Sequence, residues 1–225
     1  MKDLLEKGAV LQRDKDTYAI APHIPGGIVS SDTLRKIADV ADKYNAQALK
    51  LTSAQRIAIV GLKEEDLDHA WNDLNMKPGA AIGLCVRSVK FCPGTTFCKR
   101  GQQDSVGVGM KLDDLYHGMS LPNKLKIGVS GCPNSCAENH FRDIGIMGMP
   151  KGFTIEVGGK GGVKPRIGDV LYENVDEEEI FPIIDTIVKV YSENANKHER
   201  LGAYIDRVGL EQFKAQVENE KNCMV

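Results

Sequence analysis

The pattern of apolar and polar positions in roughly the first eighty residues predicts a βαββα unit over residues 17–73. TYAIAPH alternates weakly and predicts a strand, which an Ile-Pro-Gly-Gly turn follows. A helix is expected to begin at Ser30 or Ser31, either of which can cap it, and to end near Tyr44. QALKL and RIAIVGL predict two strands, and EEDLDHAWNDL predicts a short helix. The first helix is expected to have one apolar face, made of Leu34, Ile37, Ala38 and Ala41.

The rest of the chain carries a longer series of strand and helix patterns. A helix is predicted from about Thr96 to Tyr116, and strands are predicted at KLKIGVS, DIGIMGM and FTIEVGG. VKPRIGDVLY resembles a strand hairpin. Asp176 to about Asn196 predicts an amphipathic helix, and two short helices are expected near 198–206 and 209–218. The apolar side of the long helix carries Ile180, Ile183, Ile184, Ile187, Val188 and Tyr191.

A cluster of breaker residues, Lys77-Pro78-Gly79, separates these two parts of the chain. It predicts one domain over residues 1–78 and a second over residues 79–225. Helices and strands are mixed in both parts, and no internal repeat is visible. We therefore predict an α+β fold.

Composition narrows the function classes. The chain has 225 residues, of which 42% are hydrophobic, and its 29 basic and 31 acidic residues give a net charge of −2. This near balance gives no global nucleic-acid signature. No apolar run approaches the ~20 residues of a membrane span, and the charged start MKDLLEKGAV lacks the apolar core of a signal peptide. We expect a cytoplasmic protein with neither a nucleic acid nor a membrane as its partner.

The candidate chemistry lies in four of the six cysteines. Cys92 and Cys98 form a Cx5C pair, and Cys132 and Cys136 form a Cx3C pair; both pairs are expected at strand-to-helix turns beside a proline. Four thiolates are what a 4Fe–4S cluster requires, one for each iron. Structural zinc prefers shorter CxxC knuckles, which makes it the weaker explanation. Four unrelated thiols are weaker still, because the two prolines and the two turns would then be a coincidence. Two cysteines lack a partner at suitable spacing and are expected to be structural, namely Cys85 and Cys223.

Around these cysteines the chain resembles the sulfite and nitrite reductase family. HIPGGIVSSDTLRKIADVADKYN and KLTSAQRIAIVGL resemble that family's ferredoxin-like half domain. VRSVKFCPGTTFCKRG and LPNKLKIGVSGCPNSCAENHFRDIGIMG resemble its cofactor domain, and GLEQFKAQV resembles the tail of some members. The resemblance implies a ferredoxin-like half domain followed by an α+β domain that binds sirohaem and a 4Fe–4S cluster.

The same resemblance implies the cofactors and the reaction. Cys92, Cys98, Cys132 and Cys136 would hold the cluster, and the Cys136 sulfur would also bind the sirohaem iron. The implied activity is the six-electron reduction of sulfite to sulfide by a small, single-unit reductase. Nitrite reduction to ammonia is the nearest alternative, and a non-catalytic electron-transfer or sirohaem-carrying subunit is another. A zinc-stabilised binding module is the alternative without these cofactors.

Three basic residues match the family's anion-binding positions and are the expected catalytic groups, namely Arg87, Lys124 and Lys126. The two lysines alternate in KLKIGVS, so on one strand their side chains face the same way. On composition alone they would be surface cations. The family usually has an arginine four residues before the Pro-Gly-Gly turn, where this chain has Ala21. His23 lies two residues further on and either contributes a proton or charge there or is structural.

The family comparison also implies cofactor contacts in the first domain and an external electron donor. Lys50 falls where the family often has an arginine that grips a sirohaem carboxylate, and Thr52 and Gln55 can add hydrogen bonds; His23 completes this expected set. No GxGxxG motif follows a predicted strand, so electrons are expected from a separate ferredoxin-like or flavoprotein donor. Larger members of the family contain two such units. One expectation is therefore that a second chain completes the enclosure of the cofactor, as in a homo-oligomer.

Overall fold

The computed structural model describes residues 2–223. The chain divides into two units, Met1–Gly83 and Leu84–Val225. Both units mix helices with strands, and the predicted α+β class is confirmed. Cys223 ends the last helix, but its side chain lies outside the described part of the chain, so its expected structural role stays a prediction.

The first unit is one antiparallel sheet with two helices. Its elements are β1 Ala9–Leu11, β2 Tyr18–Ile20, α1 Ser31–Lys43, β3 Ala48–Leu51, β4 Ile57–Leu62 and α2 Leu67–Leu74. The strand order is β1-β2-β4-β3. Side chains of both helices and of β1, β2 and β4 form one buried core. The Ser30 hydroxyl accepts the Thr33 N–H at 3.1 Å and caps α1, as the sequence predicts.

Two details of this unit differ from the sequence prediction. Strand β1 was not expected, because three apolar residues beside charged ones give no recognisable alternation. Periodicity predicts Leu34 on the apolar face of α1, but Leu34 is exposed, whereas Ile37, Val40 and Ala41 are buried. The first turn of α1 leaves the core, and Leu34 instead lines a cavity of about 390 Å³ together with Leu51.

The second unit is built on a five-stranded mixed sheet. Its elements are β5 Lys90–Phe91, α3 Gly94–Phe97, α4 Ser105–Tyr116, β6 Ile127–Ser130, β7 Ile144–Met149, β8 Gly152–Val157, β9 Asp169–Val175, α5 Glu177–Asn194, α6 Leu201–Val208 and α7 Leu210–Cys223. The strand order follows the chain from β5 to β9. Strands β5, β6 and β7 are parallel to one another, and β8 and β9 continue the sheet antiparallel. All six residues predicted for the apolar side of α5 are buried.

The predicted helix from Thr96 to Tyr116 is wrong, because two helices with a loop between them occupy this stretch. The loop follows Cys98, and Asp104 then caps α4 by accepting the Val106 and Gly107 N–H groups at 3.0 Å. The prediction of a strand hairpin within VKPRIGDVLY is also wrong. Lys160 pairs with Arg166 in an antiparallel bridge, and β9 begins only at Asp169.

Candidate active site

The two cysteine pairs follow neighbouring parallel strands. Cys92 comes directly after β5, and Cys132 comes two residues after the end of β6. Because parallel strands end at the same edge of a sheet, the loops that leave β5 and β6 meet there. The Cys92 N–H donates to the Val129 carbonyl at 3.1 Å, which ties the first loop to β6.

Glycines let these two loops pack backbone against backbone. A Cβ on Gly131 would lie 2.6 Å from the Gln103 carbonyl oxygen and 2.7 Å from the Gly94 Cα. The Gly131 carbonyl accepts the N–H groups of Gln102 and Gln103 at 2.7 and 3.0 Å. No larger residue fits at Gly131 without moving the loops apart.

The thiol of Cys92 receives hydrogen bonds of the kind that stabilise a cluster ligand. Its sulfur accepts the Gly131 N–H at 3.2 Å and lies 3.3 Å from the Ser105 hydroxyl oxygen. Such bonds favour a thiolate and tune the potential of an iron–sulfur cluster. Cys132 is buried, Cys92 and Cys98 are half-buried, and Cys136 is exposed. The four predicted donors therefore lie on two loops that touch each other, an arrangement that fits the cluster.

The second pair does not lie at a strand-to-helix turn, which corrects the prediction. Turns follow β6, and the next helical element is one 3-10 turn, Asn139–Phe141. Buried Asn139 holds this loop in place, because its amide donates to the Gly128 and Ile146 carbonyls at 2.9 and 2.6 Å. The Ser130 hydroxyl donates to the Asn139 side-chain oxygen. The sequence does not predict this asparagine as a site residue, because nothing in the residues around it indicates that it is buried.

Substituting Gly131 with alanine is expected to damage the cysteine site. The added methyl forces the two loops apart, so the free energy of unfolding should fall by about 1–3 kcal/mol and iron incorporation should drop. Chemical denaturation and an iron count per chain measure both effects. Gly161→Ala is the matched control, because a Cβ there has nothing within 4 Å. Full iron content in the Gly131 variant would contradict the packing of the loops described above.

The predicted anion-binding residues precede the same two strands. Leu125 forms a bridge with Val86 and is buried, while Lys124 is exposed and Lys126 is half-buried. Strand β6 begins only at Ile127, so the lysines lie on its extended lead-in rather than in the strand itself. The Lys126 N–H donates to the Asp143 carboxylate at 2.8 Å. Arg87 is half-buried and its guanidinium lies 3.7 Å from the Cys85 sulfur.

Burial and neighbouring charges shift the pKa values of two of these cations. Burial lowers the pKa of Lys126, and the charges of Arg142, Arg200 and Lys124 lower that pKa further. Burial also lowers the pKa of Arg87, with a contribution from Arg200. One carboxylate, Asp143, acts in the opposite direction and raises the pKa of Lys126, so the positive charges around Lys126 outweigh the negative charge, as the binding of a small anion requires.

Arg142 connects the cation cluster with the second cysteine loop. Its side chain lies over Gly128, where a Cβ would be 2.7 Å from its Cγ. Its Nε donates to the Ala137 carbonyl, next to Cys136, at 3.0 Å, and an Nη donates to Glu138 at 2.6 Å. Because side chains alternate along a strand, Lys126 and Gly128 share one side of the chain. The sequence does not predict Arg142 as a site residue, because its only signal there is the spacing of four residues from Glu138.

The residues of the first unit that are predicted to contact the cofactor line two cavities. Lys50 and Thr52 line a cavity of about 290 Å³ together with Ala21, and Gln55 lines the cavity that contains Leu34. The Lys50 ammonium donates to the Leu51 carbonyl at 2.6 Å, and the Thr52 hydroxyl accepts the Arg56 N–H at 3.2 Å.

The prediction that Ala21 and His23 lie on one strand is wrong, because β2 ends at Ile20. Pro22 has no N–H to donate to the sheet and instead bridges to Pro78. The His23 N–H donates to the Lys77 carbonyl at 2.8 Å.

Two negative observations complete the description of residues 2–223. Within this range no three His, Cys, Asp or Glu side chains are grouped so that they could hold a single metal ion. The thiolates of a 4Fe–4S cluster each bind a different iron. None of the helices in the same range is both long and apolar enough to cross a membrane.

The chain belongs to the nitrite and sulfite reductase family, as its sequence motifs indicate. Residues 82–224 match the family model described as the nitrite and sulphite reductase 4Fe-4S domain. Residues 10–77 match the model described as the nitrite/sulfite reductase ferredoxin-like half domain. The chain is an oxidoreductase of this family, whose members carry sirohaem and a 4Fe–4S cluster.

Among its relatives, the chain is 42% identical over 211 residues to an assimilatory-type sulfite reductase of Nitratidesulfovibrio vulgaris. That match covers 94% of this chain and 97% of the relative. The chain is 43% identical over 202 residues to the NAD(P)H nitrite reductase of Bacillus subtilis, where it covers 90% of itself but only 25% of the relative.

Solved structures share the fold at low sequence identity. Dissimilatory sulfite reductase I superposes with a TM-score of 0.80 at 18% identity, covering 90% of this chain and 69% of that one. Mycobacterium tuberculosis NirA gives a TM-score of 0.80 at 18% identity, covering 92% and 40%.

Proposed function

We propose that this protein reduces sulfite to sulfide with six electrons, at a sirohaem coupled to a 4Fe–4S cluster. One observation carries the proposal: two touching cysteine loops and a cluster of cations meet on one sheet, with Arg142 between them. The similarity to an assimilatory-type sulfite reductase over nearly its whole length supports sulfite as the substrate.

The protein's own residues hold the cofactors and the anion. Cys92, Cys98, Cys132 and Cys136 would ligate the cluster, and Cys136 would also ligate the sirohaem. When bound, these groups would supply the redox chemistry that passes electrons from the external donor to the substrate. In the first unit, Lys50 would offer a charge to a carboxylate of the sirohaem, Thr52 and Gln55 would offer hydrogen bonds, and His23 would offer a proton or a charge.

The cations orient sulfite and supply protons. Arg87 presents a planar fork to two anion oxygens, while Lys124 and Lys126 present point charges. Each oxygen leaves as water, so protons must reach it, and an ammonium of lowered pKa is the better acid. Lys126 is therefore the proposed proton donor.

The kcat for sulfite reduction is expected to fall on the alkaline side at a lower pH than an ordinary lysine would give. Lys126 donates its proton only in the charged form, so activity is present below its pKa and is lost as the pH rises through it. A pH profile of kcat tests this, beside the variant Lys126→Arg. A guanidinium stays charged and is a weak proton donor, so kcat should fall in that variant and its alkaline limb should move to higher pH. Identical limbs in both proteins would rule out Lys126 as the titrating donor.

An anaerobic absorbance spectrum with an iron count tests the proposed function directly. A Soret band, a red sirohaem band and a shift when sulfite is added to the reduced protein are expected, with turnover from reduced methyl viologen. Both cofactors without a shift or turnover would indicate the electron-transfer or carrier role instead. A colourless protein that holds zinc would overturn the proposal altogether.

Nitrite reduction to ammonia is the second candidate, because the Bacillus subtilis nitrite reductase is equally similar over the shared region. The chain spans only about a quarter of that relative's length. The ratio of kcat/KM for sulfite to kcat/KM for nitrite separates the two, and a ratio below one would favour nitrite.

We further infer a cytoplasmic protein that takes its electrons from a separate ferredoxin-like or flavoprotein donor. The absence of a GxGxxG motif after a strand supports an external donor, and free thiols suit a reducing compartment. Whether a second copy of the chain completes the enclosure is decided by the mass of the cofactor-loaded protein in solution. The mass of a dimer would support the second copy, and the mass of a monomer would contradict it.

A further inference from the structure

The connection between α5 and α6 forms hydrogen bonds with the segment that carries the two lysines of the proposed anion site. We call residues His198–Arg200 the clamp and residues Pro122–Lys126 the lysine segment. At one end, the His198 N–H donates to the Pro122 carbonyl at 2.8 Å, and the Asn123 amide donates to the His198 carbonyl. The Asn123 side-chain oxygen also accepts the Lys124 N–H at 2.8 Å.

At the other end, a buried ion pair joins the clamp to Lys126. Arg200 donates to both oxygens of Asp143, with Nη2 at 2.7 Å from each and Nε at 2.9 Å from Oδ1. The same Asp143 carboxylate accepts the Lys126 N–H at 2.8 Å. The clamp therefore holds the lysine segment on both sides of Lys124, directly at Asn123, which is 75 positions from His198, and through Asp143 at Lys126.

We propose that Arg200 is a positioning residue of the sulfite site: through Asp143, and together with the contacts of His198, it sets where the two lysines meet the oxyanion. This inference rests on the proposed function. Arg200 is not assigned a contact with substrate, and its action passes through the backbone of the lysine segment.

The cost of the arrangement argues against a role in packing alone. The Asp143 side chain is 1% exposed and that of Arg200 is 16% exposed. Burying an ion pair is expensive, and apolar residues would join two segments at least as stably. His198 also has a φ of 68°, in the left-handed region that residues other than glycine adopt infrequently.

The geometry uses properties that lysine lacks. Bidentate pairing with a carboxylate requires the planar fork of arginine, and it leaves one Asp143 oxygen able to accept the Lys126 N–H as well. Arg200→Lys keeps the charge but loses the fork, so it changes position more than charge. Asn123→Ala loosens the other end of the lysine segment without any change of charge.

Two readouts on the cofactor-loaded protein test the proposal. Amide hydrogen exchange of the peptide covering residues 121–127 is expected to be about tenfold faster in Arg200→Lys and in Asn123→Ala, with exchange in β8 unchanged. Sulfite affinity, from the absorbance shift, is expected to fall about tenfold in both, the result of losing one charge-assisted or fixed contact. Arg166→Lys is the matched control, because Arg166 also pairs with carboxylates, those of Asp169 and Asp206, and its other side-chain hydrogen bonds go to the Gly158 and Ile167 carbonyls.

The outcomes are separable. Faster local exchange with unchanged sulfite affinity would overturn the proposal, because the clamp would then hold the segment without serving the site. Faster exchange throughout the unit, or weaker binding in Arg166→Lys too, would mean a general structural role and would also overturn it. If the wild-type protein shows no shift with sulfite, the proposed function fails first; if wild type binds and both clamp variants bind equally well, only this inference fails.

Discussion

Replacing Cys136 with serine is expected to reduce sulfite turnover to background and to remove the sirohaem. A serine hydroxyl is a poor ligand for iron that requires a thiolate, and under the proposed function this one sulfur serves both cofactors. Cys136 is the exposed member of the four thiols, whereas Cys132 is buried. The variant should therefore retain its fold while losing the Soret and red bands, with fewer irons per chain.

The measurement is the anaerobic spectrum and iron count of the variant beside wild type, with a thermal unfolding curve. Cys85→Ser serves as the control for iron content, since Cys85 belongs to neither pair. A Cys136 variant that keeps both cofactor bands would show that another residue binds the sirohaem.

The second large effect is expected from Lys126→Ala, which should keep both cofactors and lose sulfite binding. A charge-assisted hydrogen bond contributes about 1.5–3 kcal/mol, so affinity should fall by about tenfold to a hundredfold. Turnover should fall further, by about a hundredfold or more, if the same group supplies protons. The Lys126 contact with Asp143 uses the backbone N–H, so it survives the substitution and the strand stays in place.

Spectral titration with sulfite and steady-state kinetics measure the two losses. Lys111→Ala is a suitable control, because Lys111 is exposed and lies over the Phe181 ring in the same unit. Full sulfite affinity in the Lys126 variant would remove this lysine from the anion site.

Elements with a clear local pattern were predicted well. The six apolar residues of α5 are all buried, and Ser30 caps α1, because helical periodicity and capping depend on residues within one or two turns. The loop between α3 and α4 was missed, because it is held by contacts with Gly131, about thirty residues further along. Leu34 was misplaced because periodicity describes a face of a helix and not how far the core extends along it.

The candidate site divides in the same way. The spaced cysteines and the basic residues that precede them lie in short stretches of sequence. These stretches are sufficient to indicate the family, which the comparisons confirm. Arg142, Asn139, Asp143 and Arg200 were not selected, because their side chains act through partners that only the folded sheet brings near.

The sequence by itself therefore determined the class of fold and the family, and it singled out the four thiols that are proposed as donors, because periodicity, spacing and turn residues are local properties of the chain. Tertiary structure decided that the loops carrying the cysteines touch through glycine, and that a C-terminal arginine holds the lysine segment. Those contacts join residues tens of positions apart, and a buried hydrogen bond or ion pair between such residues depends on burial and mutual orientation, which arise only when the sheet and helices pack.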